Sequence, residues 1–125
     1  IVLNITAIMT TKQVKVVADA LNAETPSIVS VFAGRVADTG VDPIPHMIEN
    51  LDILKSRPKA ELLWASPREL LNIFQANDIG CHIITVTNGL LSKLANVGKD
   101  LDQFSLETVE MFYNDAASAG YKIRL

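Results

Sequence analysis

A regular alternation constrains this 125-residue chain more than any other feature. Short runs rich in β-branched and apolar residues give way to helical patterns, and the exchange happens four times. Residues 1–8 read as a buried strand. Thr10 then opens a helix with Gln13 at capping-box spacing, and Val14, Val17, Ala18 and Leu21 share one helical face. Residues 27–32 form the second strand, followed by a loop over residues 33–42. Asp42-Pro43 marks the next helix start, with an N-cap before a proline at the first helical position. Ile44, Met47, Ile48, Leu51 and Leu54 make its apolar stripe, and Arg57-Pro58 closes it.

Residues 61–65 read as the third strand, and Ser66-Pro67-Arg68-Glu69 has the composition of a capped helix start, with Ser66 as the cap. Gly80 ends that helix. Residues 81–86 read as the fourth strand, Thr87 or Asn88 caps a short helix, and Ser105 opens a last helix bearing Val109, Phe112, Tyr113 and Ala116 on one side. The unit of about 30 residues matches a strand plus its crossover helix. Such alternation calls for an α/β fold with parallel strands and right-handed crossovers. Periodicity alone is compatible with a small open sheet covered on both faces, flavodoxin-like, or with half of an eight-stranded barrel covered on one face. The second leaves an inner face and two strand edges that another chain must cover.

Nearly half the residues, 49%, are apolar, which argues for a packed core. The net charge of −3 and the lack of a basic block argue against nucleic acid. No apolar run approaches the roughly 20 residues of a membrane helix. One cysteine, Cys81, excludes an internal disulfide and suits a reducing, cytoplasmic setting. The chain opens on a strand and without methionine, which leads to the expectation of a fragment. His46 and His82 have no partner at metal-ligand spacing, and Gly34 and Gly40 mark turns rather than a dinucleotide fingerprint, so no cofactor is expected.

Three runs decide between the architectures. The first strand reads Leu3-Asn4-Ile5-Thr6-Ala7-Ile8. The second reads Ser30-Val31-Phe32-Ala33-Gly34-Arg35-Val36, followed by Asp38. The third ends Ala65-Ser66-Pro67-Arg68. In order and spacing they resemble the fifth, sixth and seventh strands of the transaldolase family, including its fructose-6-phosphate aldolase-like members. The resemblance implies the carboxy-terminal half of a (β/α)₈ TIM barrel, with residues 1–125 as one half-barrel domain and 105–119 as an extra helix. In such barrels the active site lies at the carboxyl ends of the strands.

The family's chemistry is a Schiff base between a lysine and a ketose phosphate, followed by transfer of a dihydroxyacetone unit. By resemblance that lysine belongs to the fourth strand, ahead of this chain. Lys12, Lys15, Lys55, Lys59, Lys93, Lys99 and Lys122 all read as helix, turn or tail residues, without the desolvated pocket such a lysine needs. The implied contribution of this half is binding a sugar phosphate. Asn4, Thr6, Ser30, Phe32 and Ser66 would line the substrate site, and Arg35 and Arg68 would hold the phosphate. Guanidinium groups suit that task through paired, charge-assisted hydrogen bonds, and a place in the first turn of a capped helix would add to Arg68's suitability.

Plainer roles exist for each. Asn4 and Thr6 are also suited to satisfying strand-end backbone groups, Arg35 and Arg68 to the open surface, and Phe32 and Trp64 to packing. The expected partners are a sugar phosphate and either further copies of the chain or a missing amino-terminal half. In the family the last helix often packs across subunits, which would make Phe112 and Tyr113 contacts. The alternative is a non-catalytic, self-associating half-barrel module.

Overall fold

A computed structural model describes residues 1–120. It divides into two units, Ile1–Lys93 and a second beginning at Leu94. The first holds a four-stranded parallel sheet in the order β1 (Leu3–Ile8), β2 (Ser27–Val31), β3 (Ala60–Trp64) and β4 (Ile83–Ile84). Its helices are α1 (Thr11–Ala20), α2 (Ala33–Asp38), α3 (Pro43–Leu54), α4 (Leu71–Ile79) and α5 (Asn88–Leu91), the last continuing into a 3-10 turn at Ser92–Asn96. This is the α/β architecture of consecutive βα units expected for half of a TIM barrel.

Helices cover the sheet from one side. Val29 and Val31 of β2 and Ala60, Leu62 and Trp64 of β3 alternate along their strands and share a single core with Val14 and Ala18 of α1, Met47 and Leu54 of α3, and Ala76 of α4. Trp64 is 1% exposed and is a packing residue. The intervening strand positions face the other way, where Asn4 and Glu61 are exposed and the adjoining Ser30 and Leu63 are buried. Helix cover on one face only is the arrangement of a barrel wall.

Helix starts governed by neighbouring residues agree with the sequence. Thr10 and Gln13 form the capping box of α1, Asp42 accepts from the Ile44 amide ahead of α3, and Thr87 caps α5. Gly80 closes α4 at φ 82°, a left-handed conformation that suits glycine. The stripes on α1 and α3 bury as expected, except that Ile48 stays 50% exposed.

Four expectations are corrected. The stretch 33–42 is not all loop, because residues 33–38 form α2, whose Ala33, Gly34 and Val36 are buried. Ser66 does not cap a helix, and Arg68 does not lie in a helical first turn. Ser66 adopts φ 58°, α4 begins only at Leu71, and its cap position, Leu70, makes no side-chain cap. The fourth strand is two residues rather than six. His82 Nδ1 accepts the Leu62 amide at 3.0 Å and Cys81 Sγ donates to the Leu62 carbonyl at 3.3 Å, so side chains replace the ladder that a longer strand would make.

The last correction falls in the second unit. Its helix α6 runs Leu101–Ser118, because Asp100 rather than Ser105 supplies the N-cap, accepting from the Gln103 amide. Val109, Phe112 and Tyr113 on α6 are exposed.

Core dominance gives a stability expectation. Leu62→Ala should cost about 2–5 kcal/mol, as buried leucine truncations do. Val16→Ser, at an exposed position, should stay within about 0.5 kcal/mol. Urea denaturation followed by Trp64 fluorescence measures both.

Candidate functional site

Parallel strands bring all their carboxyl ends to one side of the sheet, and most candidate residues lie on or just beyond those ends. At β1, pairing with β2 is interrupted between Ile5 and Ile8, and Ala7 takes φ 62°. That bulge bends the strand tip. The turn beyond it is held firmly. Gln13 Oε1 accepts the amides of Met9 and Thr10 at 2.9 and 3.0 Å, and His46 Nε2 donates to the Met9 carbonyl at 2.6 Å.

Asn4 and Ser30 are brought together. The Ser30 hydroxyl donates to Asn4 Oδ1 at 2.6 Å across β1 and β2. Ser30 is buried and Asn4 exposed, so the bond ties a surface amide to an interior hydroxyl. With its oxygen accepting from Ser30, Asn4 keeps its NH₂ as a donor. Thr6 lies elsewhere. It lines a cleft of about 320 Å³ with Ala7, Ile8, Lys12, Gln13, Val16 and Val17, between the end of β1 and α1. Asn4, Ser30, Arg35 and Arg68 do not line that cleft.

The arginines form a second cluster. Arg35 is exposed on α2, with its guanidinium 5.7 Å from the centre of the half-buried Phe32 ring, a cation–π arrangement. Arg68 lies on the loop after β3. Its Nε donates to Asp38 Oδ1 at 3.0 Å and its Nη2 donates to Asp38 Oδ2, a two-point pairing. The hydrogen bond from Arg68 holds the Asp38 carboxyl below its ordinary range, slight desolvation opposes this, and the charges of Arg68 and Arg35 add to the lowering. Asp38 therefore lies within the field of both arginines.

The loop carrying Arg68 is braced in two ways. Asn72 Oδ1 accepts the amides of Arg68 and Glu69 at 2.8 and 2.9 Å, so these two backbone donors of the loop are already occupied. Gly34 packs directly on Ser66: a Cβ at Gly34 would fall on the Ser66 carbonyl oxygen, far inside van der Waals contact. The Gly34 amide also donates to the Ala65 carbonyl at 3.2 Å. Glycine is required here by close approach of two backbones. Ser66 sits half-buried in this contact.

Asp38, Gly34 and Asn72 escape a reading based on residue type. The available signals were spacings: Asp38 follows Arg35 by three residues, and Asn72 follows Arg68 by four.

The lysines are distributed away from the strands. Lys15, Lys55, Lys59 and Lys99 pair with Asp19, Asp52, Glu24 and Glu107 respectively, and Lys12 and Lys93 lie on helical segments. Lys122 is outside the described residues. Burial pushes the Cys81 thiol up, against smaller opposing effects of hydrogen bonds from neighbouring backbone groups. Among the described residues no group of three or more His, Cys, Asp or Glu side chains is placed to hold a metal, and no helix is long and apolar enough to cross a membrane.

A parallel sheet covered by helices on one face, with polar and cationic side chains at its strand ends, defines a barrel-type α/β protein. Comparison with known proteins specifies the family. Residues 1–123 match the Transaldolase/Fructose-6-phosphate aldolase family, and the chain belongs to it. The chain is also similar to a protein described as a probable transaldolase from Nitrosopumilus maritimus (strain SCM1), with 37% identity over 68 residues. That stretch is 53% of this chain and 31% of the relative, so the match covers under a third of the relative's length.

Two outcomes follow from the geometry. Gly34→Ala should destabilise the unit by at least the roughly 1–3 kcal/mol of an overpacked core, because two backbones must separate. A thermal melt beside the parent chain checks this. The Asp38 carboxyl is depressed on folding, so its contribution to stability is present above its unfolded value and disappears as pH falls through the lower folded value. The Arg68 pairing should therefore persist through the ordinary aspartate titration near pH ~3.9 and open only in stronger acid. The Asp38 carboxylate carbon shift in an NMR pH titration reports it.

Proposed function

We propose that this chain supplies the substrate- and phosphate-binding half of a transaldolase-like sugar-phosphate site. In complete form the protein would transfer a dihydroxyacetone unit between sugar phosphates through a lysine Schiff base. The observation that carries this reading is the placement of Arg35 on α2 and Arg68 on the loop after β3, following consecutive strands at the carboxyl end of a parallel sheet, with Asp38 bonded to Arg68 and within the field of Arg35. Family membership and the similarity to a probable transaldolase support the chemistry. Asn4, Thr6, Ser30, Phe32 and Ser66 are the proposed substrate contacts, and Arg35 and Arg68 the proposed phosphate ligands.

The nucleophile would come from outside residues 1–120. None of the lysines described there projects from a strand, and four are engaged with carboxylates. We place the chain in barrel units five to eight, as a single half-barrel domain with α6 as an addition, working in the cytoplasm. A second reading, a self-associating module, is favoured by the free edge of β1, where Val2 and Leu3 are 60% and 54% exposed. Either reading calls for a covering partner: more copies of the chain, or an amino-terminal half.

Two measurements test the function. Arg35→Ala and Arg68→Ala should each weaken inorganic phosphate binding about tenfold or more, the scale of a lost hydrogen bond to a charged group. Unchanged affinity in both by NMR titration would remove their role. Borohydride reduction with a ketose phosphate should leave no adduct on the chain by intact mass. A trapped lysine would show that the nucleophile is internal.

A further inference from the structure

We propose that Asp38 is a positioning residue for Arg68, fixing one edge of its guanidinium so that the other edge stays presented to an anion. The proposal rests on the reading of Arg35 and Arg68 as phosphate ligands and adds a residue that this reading does not contain.

A guanidinium has five N–H donors in a fixed plane. Asp38 takes two of them, one on Nε and one on Nη2. Three remain: one on Nη1 and one on Nη2 form the end-on edge that grips phosphate in a paired fashion, and the second on Nη1 points to the side. An exposed arginine without such an anchor samples many rotamers, and binding must then freeze them. The two-point contact has already selected one orientation.

Asp38 is also well placed to coordinate the two arginines. It lies on α2 three residues after Arg35, so one short helix carries one phosphate ligand and the anchor of the other. That helix is pinned to the loop of Arg68 at a second point, where Gly34 lies against Ser66 and its amide bonds to Ala65. Two attachments about a turn apart resist both sliding and rotation of α2 over the loop.

A carboxylate next to an anion site also repels the anion, so the two effects oppose each other. The cluster is at the surface, and salt screens repulsion over about 10 Å at 0.1 M and about 3 Å at 1 M. Orientation by hydrogen bonds at contact distance is less sensitive to salt. At high salt the positioning effect should dominate, and the measurement belongs there.

The experiment is a titration of the full chain with inorganic phosphate in about 1 M sodium chloride, followed by NMR. The parent is compared with Asp38→Ala, Asp38→Glu, Arg35→Ala and Arg68→Ala. The Nε–H resonance of Arg68 is recorded before ligand is added, and amide dispersion confirms that each variant is folded. In the parent that resonance should be sharp and slow to exchange, and in Asp38→Ala it should be lost. Asp38→Ala should weaken phosphate about fivefold, comparable to ordering one long side chain on binding. Asp38→Glu, which keeps a carboxylate, should recover part of the affinity.

If Asp38→Ala binds phosphate as well as the parent or better while Arg68→Ala loses it, Asp38 does not position Arg68, and the phosphate reading stands. If neither arginine variant changes phosphate affinity, the phosphate reading fails and the role of Asp38 falls with it.

Discussion

One-sided helix cover of a parallel sheet is the constraint from which the rest of this structure follows. Right-handed crossovers bring α1, α3 and α4 to the same face, where they share a core with Val29, Val31, Leu62 and Trp64. With those positions committed to packing, the period of two along each strand sends Asn4 and Glu61 to the opposite face. The same parallel arrangement collects every strand's carboxyl end on one rim. Arg35, Asp38 and Arg68 meet because the loops after β2 and β3 are neighbours on that rim, although about 30 residues separate them in the chain.

What the sequence made legible is what local interactions decide. The capping box of Thr10 and Gln13, the Asp42-Pro43 start and the Gly80 stop all involve residues within one turn of each other, and all hold. Ser66-Pro67-Arg68-Glu69 has equally good local chemistry, yet it does not start a helix. There a distant contact wins: Gly34 lies against Ser66, whose backbone takes a left-handed conformation instead of the extended one a cap needs. The short β4 has a similar origin. Its run is β-rich throughout, but Cys81 and His82 spend their side chains on the backbone of Leu62. The helix at 33–38 was obscured by Gly34, a poor helix former kept for close approach rather than for its conformation.

The candidate site divides along the same line. Residue type and family resemblance single out Arg35 and Arg68 as cationic groups at strand ends. They do not reveal that Asp38 is bonded to one and within the field of the other, because that depends on how two loops pack. Thr6 is a different case. Spacing puts it on the same strand face as Asn4, but the register shifts between Ile5 and Ile8, and Thr6 borders a cleft beside α1 that Asn4 does not line.

The occupied backbone donors change what the proposed anion site can rest on. A helix start attracts an anion through free amides and the helix dipole, with little demand on its shape. Here Asn72 has taken the amides of Arg68 and Glu69 in the loop ahead of α4, so those two donors are closed to an anion and side chains carry more of the attraction. Two arginines and one aspartate leave one net positive charge in an exposed setting, which in salt water binds any anion only weakly. Discrimination then has to come from direction: a planar donor edge held in one orientation favours a phosphate oxygen pair over a spherical ion. The same donors would strengthen if a partner closed over the rim and lowered the local dielectric, since charge-assisted hydrogen bonds gain most where water is excluded. An exposed half-site with its geometry already set is therefore limited by solvent more than by the placement of its groups.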